Sequence, residues 1–146
     1  RAELGELLAV LAERVEHLEF VRSVQDETGI IRVFIPWSFS PPRTAMDYIA
    51  PATGMEYLKI VAISRIYLDN VRYMQTGWLT EGMKLAQLAL AAGANDMGWI
   101  VMEELVVRST GAGNETSAPQ MIDVIRNAGR IPARRDSSYR IIETFA

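Results

Sequence analysis

The residues best suited to chemistry follow the three segments that the sequence predicts as β-strands. In parallel α/β folds, ligands bind at the carboxyl ends of the strands, so side chains that follow each strand converge there. Aromatic rings can stack on a flat heterocycle, an amide can donate and accept in the plane of a base, and a carboxylate can bind ribose hydroxyls or act as a general base. The residues expected at this edge are Pro36, Trp37, Ser38 and Phe39 after the first strand, Gln75, Thr76 and Trp78 after the second, and Glu103 and Glu104 after the third.

The aromatic and acidic members of this set also have a purely structural interpretation. Trp37, Trp78 and Trp99 suit packing in a core as well as they suit stacking on a ligand. Glu103 and Glu104 are adjacent, so a strand would send their side chains to opposite faces. Together they also suit the start of a helical turn, where the helix dipole favours anions. The sequence leaves both interpretations open.

Three further groups of polar residues are expected to be structural. His17 lies within the first predicted helix and is interpreted as a partly buried, hydrogen-bonded residue. Asn95 and Asp96 directly precede the third strand and are typical of a turn. The C-terminal segment carries four arginines that could bind phosphate but are interpreted as a solvated basic surface: Arg130, Arg134, Arg135 and Arg140.

The composition excludes several classes of site. The chain of 146 residues contains no cysteine, so it cannot by itself hold a thiolate zinc site or a cysteine-ligated iron–sulfur cluster. A single histidine excludes a multi-histidine metal site. The net charge of −3 argues against a nucleic-acid partner, and the sequence has no apolar run of the roughly 18–20 residues that span a membrane. We therefore expect a soluble protein without a metal, nucleic-acid or membrane partner.

Helices and strands alternate along the chain, which indicates a parallel sheet. The expected elements are a helix at 4–24, a strand at 30–35, a proline-rich loop at 36–52, a helix at 53–68, a strand at 71–74, a helix from Thr80 to Gly93, a strand at 98–102 and a helix at 117–128. Three parallel strands leave two bare edges, which proteins normally cover or pair. We expect an α/β fold in a single domain of residues 1–146: a partial (β/α) barrel of about three parallel strands with flanking helices.

Between about Arg14 and about Tyr139, the chain contains a series of short segments that each match a segment of one known protein family. They comprise residues 14–18, 25–29, 34–39, 66–70, 84–90, 93–98, 102–104 and 128–136, together with Gln75 and Trp78. In this order they resemble a radical S-adenosylmethionine family. That family contains dehypoxanthine futalosine cyclase and aminofutalosine synthase of menaquinone synthesis, and the deazaflavin-ring synthase of coenzyme F420 synthesis. The segment Ile35-Pro36-Trp37-Ser38-Phe39 is most similar to the cyclase members.

The resemblance implies that this chain is the C-terminal part of a (β/α) barrel. The family's amino-terminal half holds three cysteines that bind an iron–sulfur cluster, where S-adenosylmethionine is cleaved to an adenosyl radical; those ligands are absent here. Leu105 stands where the family usually has Asn, and Arg43 and Thr44 lie in a loop that usually differs. The resemblance assigns no catalytic residue but implies substrate contacts from Ser38, Gln75, Trp78, Glu103 and Glu104.

Three functional hypotheses follow. The first is the C-terminal part of a cytoplasmic radical S-adenosylmethionine cyclase of menaquinone synthesis, which supplies barrel wall and contacts to a nucleoside-type substrate but is inactive alone. The second is a non-enzymatic, truncated module that pairs its bare edges with a partner, either a second copy or an amino-terminal half. The third is the sibling activity, aminofutalosine or deazaflavin-ring synthesis.

Overall fold

The computed structural model describes residues 2–98 and 116–146. Within them the chain forms five helices and four short strands. The helices are α1 (Ala2–Thr28), α2 (Gly54–Tyr67), α3 (Trp78–Glu81), α4 (Met83–Ala91) and α5 (Ala118–Asn127); the strands are β1 (Val33–Phe34), β2 (Tyr73–Met74), β3 (Ala133–Arg135) and β4 (Ile141–Thr144). The α/β class expected from the sequence is confirmed.

Capping boxes begin two of the helices expected from the sequence. At the start of α2, the Thr53 hydroxyl accepts from the Glu56 backbone N–H, and the Glu56 carboxylate accepts from the Thr53 backbone N–H at 2.7 Å. Ser117 and Gln120 form the same reciprocal pair at the start of α5. These local signals are reliable because each box satisfies N–H groups that the helix itself leaves without partners.

The predicted helix from Thr80 to Gly93 is two helices. Gly77 is the N-cap of α3, and Gly82 separates α3 from α4. The break occurs because Gly82 adopts φ +81°, a conformation that ends a right-handed helix and that glycine tolerates best. Thr80 is therefore not the helix cap; its hydroxyl donates to the Gly77 carbonyl.

The strands β1 and β2 form a short parallel sheet. β1 pairs with β2 in parallel, Val33 opposite Tyr73 and Phe34 opposite Met74. Gln75 and Asp96 form a further parallel bridge, so the chain that leads into the predicted third strand runs alongside β2. Residues 99–102 of that strand lie outside the described residues, which show two parallel strands and this bridge.

One face of this sheet is covered by the apolar core. Met74 is buried against α2, α4 and α5, and Trp78 belongs to the same cluster. A smaller cluster joins Leu18 of α1 to Leu68 and Val71 beside β2. The sheet is thus held on this side mainly by burial of hydrocarbon surface.

The antiparallel hairpin of β3 and β4 was not expected. Its strands pair Ala133 with Thr144 and Arg134 with Glu143. Along β4 the apolar residues Ile141 and Ile142 are adjacent and exposed, so the sequence lacks the apolar alternation that indicates a half-buried strand. Asp136 shapes the turn, because its carboxylate accepts from the backbone N–H groups of Ser138 and Arg140.

The long helix α1 keeps several of its large apolar side chains exposed. Leu18 is buried, but Leu11, Val15 and Phe20 are exposed. No helix in the described parts of the chain is both long and apolar enough to cross a membrane.

Candidate functional site

A cavity of about 690 Å³ lies beside the carboxyl end of β1. Its walls come from α1, the loop after β1 and the first turns of α2. This volume falls within the range of pockets that bind small molecules, roughly 300–1,000 Å³. The position agrees with the expectation that the segment after the first strand lines a site.

The cavity combines aromatic and hydroxyl groups. Trp37 and Phe39 line it and remain 55% and 50% exposed, so Trp37 does not pack in a core. Ser38 lies between them and also lines the cavity. On α2, the Ser64 hydroxyl is buried and has no hydrogen-bond partner among the described residues. Such a surface suits a flat ring that carries polar substituents.

Tyr57 connects the cavity to the end of β2. Its hydroxyl accepts a hydrogen bond from the Gly77 backbone N–H at 2.8 Å. Burial raises the pKa of this phenol above its ordinary value, so the hydroxyl keeps its proton at neutral pH. The loops that follow β1 and β2 meet here, since a Cβ on Gly77 would lie 3.5 Å from the Pro36 carbonyl oxygen.

Ionisable side chains line the cavity where α1 and α2 meet: Glu13, Arg14, His17 and Glu56. The hydrogen bond from the Thr53 backbone N–H lowers the pKa of Glu56, which is therefore a carboxylate already used by its helix cap. His17 is exposed, so the expectation of a partly buried histidine is wrong. It lies one helical turn from Glu13 on the cavity side of α1.

Gln75 lies on the other face of the sheet. Strand alternation places it with Tyr73 and opposite Met74, and it is absent from the residues that line the cavity. Its side chain is buried, at 9% exposed, and its Oε1 has no hydrogen-bond partner among the described residues. A buried acceptor without a partner marks a position where a ligand or water can bind.

The other predicted site residues are divided. Trp78 is 3% exposed in the apolar core at the start of α3, which agrees with the packing interpretation. Glu103 and Glu104 lie outside the described residues, as does Leu105. The structure therefore brings Ser38 to the cavity, buries Gln75 on the opposite face of the sheet, and leaves the two carboxylates undescribed.

The four arginines that were expected to form a solvated basic surface each bind a different partner. Arg134 pairs with Glu143 across the hairpin at 3.1 Å, and Arg140 pairs with Asp136 at 2.8 Å. Arg130 donates to the Leu90 carbonyl. Arg135 contradicts the expectation most clearly, because it is largely buried and forms an ion pair with Asp96. Tertiary contact across 39 residues, which no local pattern reveals, makes this pair.

Several residues in the segments that resemble the family form hydrogen bonds between the end of α1 and the chain after α2. Gln25 donates to the Asn70 carbonyl and accepts from the Ile31 N–H at 2.7 Å. The Asn70 amide donates to Asp26 at 2.8 Å, and Arg22 pairs with Asp69. This network fixes α1 against the chain between α2 and β2, and it touches no cavity residue.

Sequence reasoning missed Tyr57, Ser64 and Arg14 as cavity residues because they lie within helices rather than after strands. A polar residue on the apolar face of α2, such as Ser64, is the signal that could have identified them.

A resident metal or cluster does not fit the residues described. They contain no group of three or more potential ligands of the His, Cys, Asp or Glu type that could hold a metal ion. The whole chain lacks cysteine, the ligand that iron–sulfur clusters require.

Comparison with known proteins identifies close relatives. A cyclic dehypoxanthine futalosine synthase of Streptomyces coelicolor is 47% identical over 128 residues, which cover 88% of this chain and 32% of the relative. A protein of the same name from Halalkalibacterium halodurans is 44% identical over 133 residues, or 91% of this chain and 36% of the relative. A 5-amino-6-(D-ribitylamino)uracil–L-tyrosine 4-hydroxyphenyl transferase of Methanothermobacter thermautotrophicus is 41% identical over 137 residues, covering 89% of this chain and 37% of the relative.

The chain spans about a third of the length of each of these relatives. The family model described as the CofH/MqnC C-terminal region matches residues 27–145. That match includes the loop after β1, the parallel sheet and the hairpin. The chain belongs to the CofH/MqnC C-terminal family.

Proposed function

We propose that this chain is the C-terminal part of a radical S-adenosylmethionine enzyme that closes a ring in a futalosine derivative during menaquinone synthesis. The observation that carries the proposal is the 47% identity over 128 residues to a cyclic dehypoxanthine futalosine synthase. The chain would contribute part of the barrel wall and contacts to a nucleoside-type substrate. The cytoplasm is its expected compartment.

The described sheet is compatible with an arc of a barrel. β1 and β2 are parallel, and Asp96 continues the parallel pairing beside them. Within the described residues, β1 is hydrogen-bonded to β2 along one edge and has no strand on the other. An amino-terminal half, or a second copy of the chain, is the partner we expect at that edge.

The cofactors of the proposed enzyme are S-adenosylmethionine and an iron–sulfur cluster. A chain without cysteine cannot ligate the cluster, so the cluster would be held by residues outside the chain. No step of the reaction is therefore assigned to residues of this chain beyond substrate binding, and we expect the chain alone to be inactive.

For the substrate contacts we propose Ser38, Gln75, Trp78, Glu103 and Glu104. Two of them have supporting geometry: Ser38 lines the cavity, and Gln75 carries a buried acceptor without a partner among the described residues. Trp37 and Phe39 add exposed aromatic surface next to Ser38, on which a heterocycle can stack.

A domain exchange tests the proposal. The matching C-terminal region of the Streptomyces coelicolor synthase is replaced by this chain, and conversion of dehypoxanthine futalosine to the cyclic product is measured. We expect a rate within about tenfold of the parent, equivalent to about 1.4 kcal/mol in barrier. The parent truncated before this region is the control and should be inactive.

An exchanged enzyme that is folded and carries the parent's full cluster content, yet forms no cyclic product, would contradict the proposal. In the exchanged enzyme, Gln75→Ala should lower turnover far more than it lowers the melting temperature. An unchanged rate would remove Gln75 from the substrate site.

A sibling activity is the second candidate, favoured by the 41% identity to a 4-hydroxyphenyl transferase. The same exchange into the Methanothermobacter thermautotrophicus protein separates the two. Activity of this chain in the synthase background alone supports ring closure, and activity in the transferase background alone supports the sibling.

A further inference from the structure

The face of the sheet that carries Gln75 also carries a largely buried ion pair. Arg135 Nη2 donates to Asp96 Oδ1 at 2.9 Å, and Arg135 Nε donates to Asp96 Oδ2. The two side chains are 17% and 8% exposed. A bidentate pair of this kind fixes orientation as well as distance, because the planar guanidinium matches the two carboxylate oxygens.

The pair joins the C-terminal hairpin to the parallel sheet. Arg135 is the last residue of β3, whereas Asp96 forms the parallel bridge with Gln75. The Arg135 guanidinium also lies 3.7 Å from the centroid of the Tyr139 ring, which contacts the Tyr73 ring at 4.4 Å. Arg135 is therefore held by a carboxylate on one side and an aromatic face on the other.

Asp96 has a second task beyond its pairing with Arg135. Its Oδ1 accepts a hydrogen bond from the Gly98 backbone N–H at 2.6 Å. Gly98 adopts φ +78°, and a Cβ at this position would lie 2.7 Å from Gln75 Nε2 and 2.9 Å from Gln75 Cδ. The backbone of Gly98 is thus pressed against the Gln75 amide and limits where that amide can lie.

We infer that the Asp96–Arg135 ion pair is a positioning device. Through Gly98 it holds the Gln75 amide so that Oε1 accepts a hydrogen bond from an N–H or O–H group of a bound ligand. Asp96 and Arg135 themselves do not touch the ligand. The assignment of Gln75 to the ligand rests on the proposed function, whereas the positioning of its amide does not.

The first experiment measures the Gln75 amide in the full chain without any ligand. Its side-chain NH₂ resonances are assigned by their loss in Gln75→Ala. Arg135→Lys, which keeps the charge but loses the bidentate geometry, should shift them and broaden them through added motion. The control is Arg134→Met in the same strand, which breaks an exposed ion pair with Glu143 and should leave them unchanged.

Resonances of Gln75 that stay in place in a folded Arg135→Lys protein would overturn the positioning role.

A matched pair of glycines supplies a second test that does not depend on the ion pair. Gly98→Ala and Gly129→Ala both place a side chain at a positive φ, but only the first meets Gln75, since nothing lies within 4 Å of a Cβ on Gly129. Only Gly98→Ala should shift the Gln75 amide.

The second experiment measures kinetics in the exchanged enzyme described above. Gly98→Ala should lower kcat/KM about tenfold, in the same direction as Gln75→Ala, because both variants remove the contact of the Gln75 amide with the ligand. In a Gln75→Ala background, Gly98→Ala should have no further effect, because the two act as one unit. Independent, multiplying effects would overturn the coupling. Shifted resonances with unchanged kinetics would overturn the role of Gln75 in binding and retain the positioning.

Discussion

The two faces of the parallel sheet are built from different chemistry. Met74 and Tyr73 are neighbours in β2 and point in opposite directions. Met74 is fully buried beneath α2 and α4. On the other face, Tyr73 contacts Tyr139 of the hairpin, close to the Asp96–Arg135 pair.

The difference indicates which face tolerates substitution and which depends on particular residue pairs. On the helix-covered face, stability comes from buried apolar area, which depends on size and shape rather than on one partner. On the opposite face it depends on directed bonds between residues far apart in sequence, and the loss of one partner leaves a buried charge. Gln75, whose buried Oε1 has no hydrogen-bond partner among the described residues, belongs to the second face.

The largest expected change in stability comes from removing the buried ion pair on the polar face of the sheet. Arg135→Met should lower the free energy of unfolding by about 3–5 kcal/mol, because Asp96 keeps a largely buried charge without its partner. Arg134→Met, which removes an exposed ion pair, should change it by less than about 1 kcal/mol. Urea denaturation measures the free energy of unfolding of both variants. Equal losses would show that the buried Asp96–Arg135 pair contributes no more than the exposed Arg134–Glu143 pair.

The helix-covered face is tested by truncation. Met74→Ala should cost about 2–5 kcal/mol, because the buried side chain loses its contacts and leaves a cavity. Met55→Ala is the matched control at a position that is 62% exposed, and should stay within about 0.5 kcal/mol of the parent. A cost at Met74 no greater than that at Met55 would mean that this core is not packed as described.

Replacing two tyrosines by phenylalanine compares the stability contributed by one hydrogen bond on each side of the sheet. Tyr57→Phe should cost about 1–3 kcal/mol, since the buried Gly77 N–H loses its acceptor. Tyr73→Phe should cost less, about 0.5–1.5 kcal/mol, since it removes a longer bond to the Tyr139 carbonyl at 3.3 Å in a partly exposed place. Thermal melting of both variants checks the order, and a reversed order would contradict it.

The smallest effect is a pH dependence at the start of α2. The pKa of Glu56 is lowered by hydrogen bonds from Thr53, so its contribution is present above the ordinary glutamate pKa and is lost as the pH falls through the lower folded pKa. Between pH 7 and pH 3, Glu56→Gln should therefore lose less stability than the parent. Parallel losses in the two proteins would remove Glu56 from the acid transition.

Local signals in the sequence predicted the helices well and the hairpin not at all. The capping boxes at Thr53 and Ser117 mark true helix starts because their bonds span three residues. The break at Gly82 was missed because a helical pattern tolerates an isolated glycine, so its presence does not by itself mark a helix end. The β3–β4 hairpin was missed because exposed strands carry no apolar pattern.

The sequence by itself determined the alternation of helix and strand and the family, since these depend on residue order and on local apolar patterns. It also indicated that the segment after β1 would line a site, and Ser38 and Trp37 do line the cavity. Only the tertiary structure decided that Arg135 meets Asp96 across 39 residues and that Gly98 limits the Gln75 amide. Such contacts require the chain to fold back on itself, and the free energy of a directed, buried bond depends on a partner that no local pattern specifies.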